Sequence, residues 1–203
     1  MERNHWAIAI VMAAASFAWA SSPQATSKPL IKSTSYEAAG ERVLRHEVVV
    51  PAGVRDVWHA FTTADGLRTW AAPVVEFELK TGGKFHSSYQ PDGSADAPGS
   101  IHNTVLSYVP FKMLAFKIGL TQAFPEVPRQ AGTLFAVAEL QPLGTNKTRV
   151  TLSMVGWGTG REWDQVYNFF DKNNPVAMTN LRDSFVSGAM DGRKGQVAAK
   201  RVK

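Results

Sequence analysis

A long run of strand-like segments followed by one long helical segment constrains the fold of this chain most strongly. From Val75 onward, apolar and polar residues alternate in six successive segments, as in Leu114, Phe116, Ile118 and Leu120. Such alternation is typical of a strand with one buried face. We predict these strands at residues 75–80, 84–89, 101–109, 114–120, 134–140 and 147–157. Six consecutive antiparallel strands cannot bury both faces of a sheet, so another element must cover one of them.

The C-terminal helical pattern is the natural cover for that face. Trp163, Val166, Tyr167 and Phe170 lie at helical spacing, and the spacing resumes at Met178, Leu181 and Phe185. The sequence Asn173-Asn174-Pro175 interrupts the pattern, because proline cannot donate the helical hydrogen bond. We therefore predict a helix over Arg161–Ser187 that is kinked or broken near Pro175.

The N-terminal part of the domain adds a strand and two short helices. Residues 43–50 alternate as a strand does, and in residues 53–63 the apolar period becomes helical, at Val54, Val57, Trp58 and Phe61. A second short helix is predicted over residues 64–71, before Pro73. The predicted fold class is α+β, with the helices segregated from the sheet in sequence.

Both ends of the chain differ in composition from this domain. Residues 6–20 carry no charge and end in Ala18-Trp19-Ala20, which is typical of a secretory signal peptide cleaved after Ala20. An uncleaved anchor is the alternative. Residues 21–40 are rich in Ser, Thr and Pro, and we predict a flexible leader there. We place the domain at residues 41–190. We predict that the protein is periplasmic or secreted.

The net charge of +5 belongs mainly to the C-terminal tail. Residues 191–203 hold five basic side chains against Asp191 alone, and residues 1–20 sum to zero, which leaves 21–190 with a net charge of +1. We predict a disordered basic tail, with contact to an anionic membrane surface as the alternative. No nucleic-acid partner is predicted, because the domain has no basic stripe. The absence of cysteine excludes disulfides and thiolate metal sites.

Several local motifs resemble the START-like superfamily, also called SRPBCC or Bet v 1-like. They are Val50-Pro51-Ala52 followed by VRDVWHAF, Ala64 to Trp70 followed by Pro73, the Gly82-Gly83 turn before Lys84-Phe85, TRVTL at 148–152, and Asn180-Leu181. Within the superfamily the match is nearest to the branch named for activators of a heat-shock ATPase. The resemblance implies a helix-grip fold, in which a curved antiparallel sheet of about six or seven strands wraps around a long C-terminal helix, with two short helices after the first strand.

The resemblance also implies a cavity between sheet and long helix that takes a small hydrophobic ligand. We predict that its walls are mainly aromatic, with Tyr89, Tyr167, Ser87, Trp163 and His46 as polar groups and residues 121–130 as the mouth. Many relatives have tryptophan where this chain has Ala71, so ligand identity does not transfer. The predicted ligand-binding residues are Trp58, Phe61, Trp70, Phe77, Phe85, Tyr89, Phe116, Met154, Trp163, Tyr167 and Phe170.

Catalytic and metal-binding patterns are weak, and we assign no catalytic residue, metal ligand or cofactor. The five histidines form no H-E-x-x-H motif. His86 and His102 could be cross-strand neighbours, yet exposed strand histidines are the simpler interpretation. Glu76 and Glu78 share a face that is expected to lie in solvent. Three hypotheses remain: a hydrophobic-ligand-binding protein, an enzyme resembling cyclases and aromatases, and a protein-interaction module like the chaperone activators. The sequence does not specify an oligomeric state.

Overall fold

The computed structural model of the protein describes residues 31–38, 40–91, 93–97, 99–120, 124, 127 and 134–187. The predicted signal peptide, the first ten residues of the leader, most of the predicted mouth at 121–130 and the basic tail at 191–203 lie outside the described residues. Among the described residues, no helix combines the length and apolar character that crossing a membrane requires.

Eight strands form one antiparallel sheet, and three helices accompany it. The sheet order is β1-β2-β8-β7-β6-β5-β4-β3, so that β2 pairs with β8 near the far end of the chain. The elements are β1 (Lys32–Ala38), β2 (Glu41–Val50), α1 (Val54–Thr62), α2 (Ala64–Arg68), β3 (Val74–Phe77), β4 (Lys84–Ser88), β5 (Ile101–Val109), β6 (Met113–Lys117), β7 (Phe135–Pro142), β8 (Thr148–Val155) and α3 (Arg161–Ser187). The α+β, helix-grip prediction is confirmed.

The N-terminal strand β1 corrects our prediction of a flexible leader, because residues 32–38 pair along their whole length with β2. Polar residues dominate β1, and its described side chains in residues 33–36 are exposed. An edge strand that rests on backbone pairing needs no apolar period, and the pattern therefore gave no sign of it. This strand raises the count to eight and places the two short helices after the second strand.

Helix α3 is continuous through Pro175, so of the two predicted outcomes there, a kink or a break, the break is wrong. Proline removes one amide donor but leaves the rest of the hydrogen-bond ladder intact. Beyond Pro175, Met178 and Leu181 are buried in the core, and this packing compensates for the lost bond. Helix α2 is also shorter than predicted, ending at Arg68.

The core lies on the inner face of the sheet, beneath α3. One continuous cross-strand row on this face runs through Leu44, Met154, Ala136, Phe116 and Val105, all of which are buried. Because alternate residues on a strand point to opposite faces, the neighbouring positions form the outer face. The fold thus separates an apolar interior from a polar outer surface.

Helices α1 and α2 pack closely against each other beside β3. A Cβ atom at Gly66 would overlap the carbonyl oxygen of His59 and lie 2.6 Å from Cα of Ala60, so only glycine allows this approach. The indole Nε1 of Trp70 donates to the Ala60 carbonyl at 3.0 Å. Both contacts hold α2 against α1.

Candidate functional site

Ten of the eleven predicted site residues belong to one hydrophobic core, and the ring contacts among them fall into three groups. In the first, Phe85 contacts Phe77 and Phe116, with ring centroids 5.3 and 5.1 Å apart. These three rings lie on the inner face of β3, β4 and β6, toward the β3 edge of the sheet. They are positioned by strand alternation, as the sequence predicts.

The second group lies on α1 and in the turn that follows α2. Phe61 and Trp70 contact each other at 4.9 Å, and Trp58 contacts Phe111 at 6.0 Å. Trp58, Phe61 and Trp70 are all buried. Because they pack against each other and the helix backbone, this group is ordinary core.

The third group surrounds the N-terminal half of α3. Trp157 contacts Tyr167 at 4.9 Å and Phe170 at 6.1 Å. Trp163 and Met154 are buried close by in sequence and structure, whereas Tyr89 stands apart with 51% of its surface exposed. The structure therefore brings ten of the eleven predicted residues into one core and leaves Tyr89 outside it.

A buried polar cluster lies where α3 packs on β2. His46 projects from the inner face of β2 between Leu44 and Val48, and its side chain is wholly buried. Tyr167, Asp171 and Asn174 follow one another on α3 at spacings of four and three residues, which places them on one stripe of the helix. Tyr167 and Asn174 are buried as well.

Three buried polar atoms of this cluster have no hydrogen-bond partner among the described residues. They are Nδ1 and Nε2 of His46 and the hydroxyl oxygen of Tyr167. The nearest charged group to His46 is Asp171, whose Oδ1 lies 3.4 Å from Nε2 at ion-pair distance but without hydrogen-bond geometry. Buried polar atoms are almost always paired in native proteins, so an unpaired set requires an explanation.

The electrostatics of the cluster favour a neutral histidine. Burial lowers the pKa of His46 below its ordinary value of 6.5, and the Asp171 carboxylate opposes this effect without cancelling it. A neutral imidazole has one donor and one acceptor nitrogen. His46 can therefore both donate and accept one hydrogen bond at neutral pH.

Other polar groups around the cluster are already engaged. Ser33 on β1 donates to Oδ1 of Asp171 at 2.8 Å, and Asn174 Nδ2 lies 3.2 Å from the Met154 sulfur. The Arg42 guanidinium lies 3.5 Å from the Tyr167 ring centroid, and it also donates to Asp164 at 2.7 Å. These contacts fix the orientation of α3 on β1 and β2 while leaving His46 and the Tyr167 hydroxyl unpaired.

Sequence reasoning identified two members of this cluster and missed the others. The sequence predicts His46 and Tyr167 as polar wall residues, and Asp171, Asn174, Arg42 and Ser33 are not among the predicted site residues. Asp171 and Asn174 recur at helical spacing from Tyr167, and this polar extension of an apolar stripe is the signal that could have revealed them. Ser33 could not be found, because β1 itself was not predicted.

The remaining sequence candidates lie outside this cluster. Glu76 and Glu78 are exposed and pair with Lys84 and Lys80, at 3.4 and 3.2 Å. They do not form a paired acid–base site. His86 and His102 are cross-strand partners on the outer face, as considered above, and Asp96 joins them.

A surface groove of about 410 Å³ lies between α1, α2 and the end of α3. Its lining includes Asp56, His59, Asp65 and Phe185. This groove does not coincide with the interior cavity that the resemblance implies, and we assign no function to it.

The family follows from comparison with known proteins. The family model described as "Activator of Hsp90 ATPase homolog 1-like protein" matches residues 51–185. The chain belongs to this family. The START-like resemblance of the sequence is thereby confirmed, including its branch. No curated protein sequence matches the chain significantly.

Solved structures confirm the fold of this Hsp90-activator-like family at low sequence identity. The Aha1 dimer from Colwellia psychrerythraea aligns with a TM-score of 0.58 and 16% identity, covering 72% of this chain and 97% of that one. CalU16 from Micromonospora echinospora aligns with a TM-score of 0.60 and 16% identity, covering 88% and 86%. DynU16, from the dynemicin biosynthetic locus, aligns at 0.54 and 18%, covering 72% and 48%.

Proposed function

We propose that this protein binds a small, largely apolar molecule between the inner face of its sheet and α3, and that His46 and Tyr167 hydrogen-bond to a polar group of that molecule. The observation that carries the proposal is the set of unpaired polar atoms on these two buried side chains. Leaving a buried donor or acceptor unpaired costs about 1–3 kcal/mol. A ligand that pairs with them recovers this free energy upon binding.

The surroundings of these atoms define the chemistry of the ligand. The nearby inner-face side chains are apolar, including Leu44, Val48, Val166 and Met154, all of which are buried. Small-molecule sites usually combine such walls with a few polar groups that fix orientation. Because His46 and Tyr167 can each donate and accept, a hydroxyl or carbonyl group on an apolar skeleton fits best.

Membership of the family supports a binding role of this kind, since the START-like fold encloses space between sheet and helix. DynU16 shares the fold and comes from a biosynthetic locus, which supports a small-molecule-binding role for proteins of this fold. Neither the family nor DynU16 identifies a ligand for this chain.

Binding is tested with protein purified from its own source and examined by native mass spectrometry. We expect a bound species of a few hundred daltons that is released when the protein is denatured. Affinity for the recovered compound is then measured in Tyr167→Phe, with Tyr108→Phe as the matched control, because Tyr108 is exposed on β5. We expect roughly fivefold weaker binding in the first variant, since one hydrogen bond is worth about 1 kcal/mol, and unchanged binding in the control. Equal affinities in both variants would contradict the site.

A second candidate function is catalysis in the same place. It is favoured by one observation, the position of the Asp171 carboxylate 3.4 Å from a buried histidine. A His–Asp pair can transfer protons to a bound molecule. Incubating the recovered compound with the protein distinguishes the two functions. A binding protein leaves the mass of the compound unchanged, whereas an enzyme changes it in a reaction that depends on His46.

Export remains part of the proposal. The uncharged segment 6–20 and Ala18-Trp19-Ala20 support cleavage after Ala20 and a periplasmic or secreted location. The intact mass of the protein recovered from its source tests this directly. A mature N-terminus at Ser21 supports export, and a chain that retains residues 1–20 contradicts cleavage.

A further inference from the structure

A second cluster lies on the opposite face of the sheet from the buried polar cluster. Glu76, His86 and His102 form a cross-strand row over β3, β4 and β5. Phe85 and Ser87, which flank His86 on β4, are buried on the inner side. The row therefore faces outward, and no part of it belongs to the site proposed above.

The two imidazole rings are held face to face. Their centroids are 4.3 Å apart and their planes differ by 20°. The segment between β4 and β5 brings Asp96 over them, and its Oδ1 lies 2.6 Å from Nδ1 of His86. Nε2 of His102 lies 3.2 Å from the carbonyl oxygen of Ala95, which is itself buried.

These contacts fix which nitrogen of each ring is available to a cation. A carbonyl oxygen only accepts, so Nε2 of His102 carries the proton and Nδ1 retains a lone pair. Oδ1 of Asp96 accepts a hydrogen bond from His86 Nδ1 in the tautomer that leaves Nε2 with a lone pair. In the other tautomer the proton is on Nε2, and Nδ1 and the carboxylate are both free to bind a cation.

The local charge also favours a cation. Lys84 lies 3.1 Å from Oδ2 of Asp96 and 3.4 Å from Oε2 of Glu76, so two carboxylates surround one ammonium. With neutral histidines the group is anionic by one charge. Lys84 contacts the Asp96 oxygen that faces away from His86, and the other oxygen remains directed at the ring.

We propose that His86, His102 and Asp96 form a site for a divalent transition-metal cation of the Zn²⁺ class. Each side chain can offer one ligand atom, and these atoms lie within 4.8 Å of one another. Tetrahedral Zn²⁺ with ligand bonds of about 2.0–2.2 Å needs its ligand atoms roughly 3.4 Å apart. Closing this difference requires rotation of the exposed Asp96 side chain and a tilt of the stacked imidazole rings, so that their lone pairs point to one position.

Two imidazoles and one carboxylate leave a fourth position open. Water or the neighbouring Glu76 carboxylate can occupy it. A bound cation would tie the segment that carries Asp96 to β4 and β5, and it would thereby stabilise the folded protein in proportion to its occupancy.

The site is tested by titrating ZnCl₂ into the untagged full chain, with isothermal calorimetry and thermal unfolding as the readouts. We expect saturable 1:1 binding and a rise in Tm on addition of the cation. His86→Ala and His102→Ala should each weaken binding at least about tenfold. His59→Ala is the matched control, because His59 is exposed on α1, and its affinity should equal that of the unaltered protein.

Lys84→Gln gives the sharper test, since it removes the competing ammonium and should tighten Zn²⁺ binding several-fold. A variant that merely disturbed the sheet could not produce this gain, and circular dichroism of each variant checks the fold. Unchanged affinity in both histidine variants would overturn the proposal, as would binding only at millimolar Zn²⁺ or equal losses in His59→Ala.

Discussion

At the scale of single residues, His46 is a buried polar side chain that packing alone does not explain. Every other inward position of β2 from Leu44 to Val50 is an apolar residue, and each of them is buried. His46 instead brings two nitrogens into this environment with no hydrogen-bond partner in the described part of the chain. If this position served packing alone, leucine would give a more stable protein than histidine. Hydrogen bonding to the proposed ligand would explain why a histidine is present.

His46→Leu should stabilise the ligand-free protein by about 1–3 kcal/mol at pH 7, because it removes an unpaired buried polar group. Urea unfolding measures this difference. The same variant should lose affinity for the bound compound. If the contact with Asp171 were a stabilising ion pair, the variant would instead be less stable, and our interpretation of His46 would be wrong.

The stability of the unaltered protein should also fall faster with acid than that of His46→Leu. Because the pKa of His46 is lowered in the folded state, the unfolded chain takes up a proton first as the pH falls below about 6.5. The free energy of unfolding therefore decreases from that pH down to the folded-state pKa. Tm values between pH 7.5 and 5 should diverge between the two proteins, whereas parallel curves would contradict a lowered pKa.

At the scale of elements, α3 depends on tertiary packing rather than on its own sequence. It contains Pro175 and the helix-disfavouring pair Asn173-Asn174, yet it continues for 27 residues. Its buried stripe continues past the proline through Met178 and Leu181. Packing of this stripe supplies the stability that the local sequence lacks.

Leu181→Ala should therefore destabilise the protein by about 2–5 kcal/mol, since Leu181 is fully buried and its truncation leaves a cavity. Val176→Ala is the matched control on the same helix, because Val176 is 56% exposed and should change the free energy of unfolding by less than about 0.5 kcal/mol. Denaturant unfolding of both variants provides the comparison. Similar effects in the two would mean that the C-terminal half of α3 is not anchored in the core.

At the scale of the whole molecule, one edge of the sheet is formed by β1, a strand that the sequence pattern does not predict. Strand β1 pairs with β2 from Lys32 to Ala38, and Ser33 reaches Asp171 on α3. It thereby links the sheet edge to the helix beside the buried polar cluster. The family model begins only at residue 51, so this strand and the whole of β2 lie outside the matched range.

A chain that begins at Gly40 should be less stable than one that begins at Ile31, by at least about 2 kcal/mol. Each ladder hydrogen bond contributes about 0.5–1.5 kcal/mol, and the truncation removes several of them together with the Ser33 contact. Urea unfolding of the two chains measures the difference. Equal stabilities would show that β1 adds nothing to the domain.

Local sequence patterns are enough to predict the order of elements from β2 to α3 and the family. Period-two and helical patterns predicted nearly every core position on these elements, because burial of one face imposes a period on the chain. The patterns also placed Tyr167 and His46 inside. They did not determine β1 or the continuity of α3, since backbone pairing and packing across the core leave little trace in local sequence.

Only the tertiary structure decided which polar groups meet. Ser33, His46 and Asp171 are far apart in sequence, and their approach depends on how β1 and β2 lie beneath α3. The pairing register likewise decided that His86 and His102 stack and that Asp96 reaches them. A one-residue slip in that register would separate the rings, because alternate side chains point to opposite faces. Chemistry that depends on distances of 3–5 Å between remote residues is set by register and packing, which the local pattern does not contain.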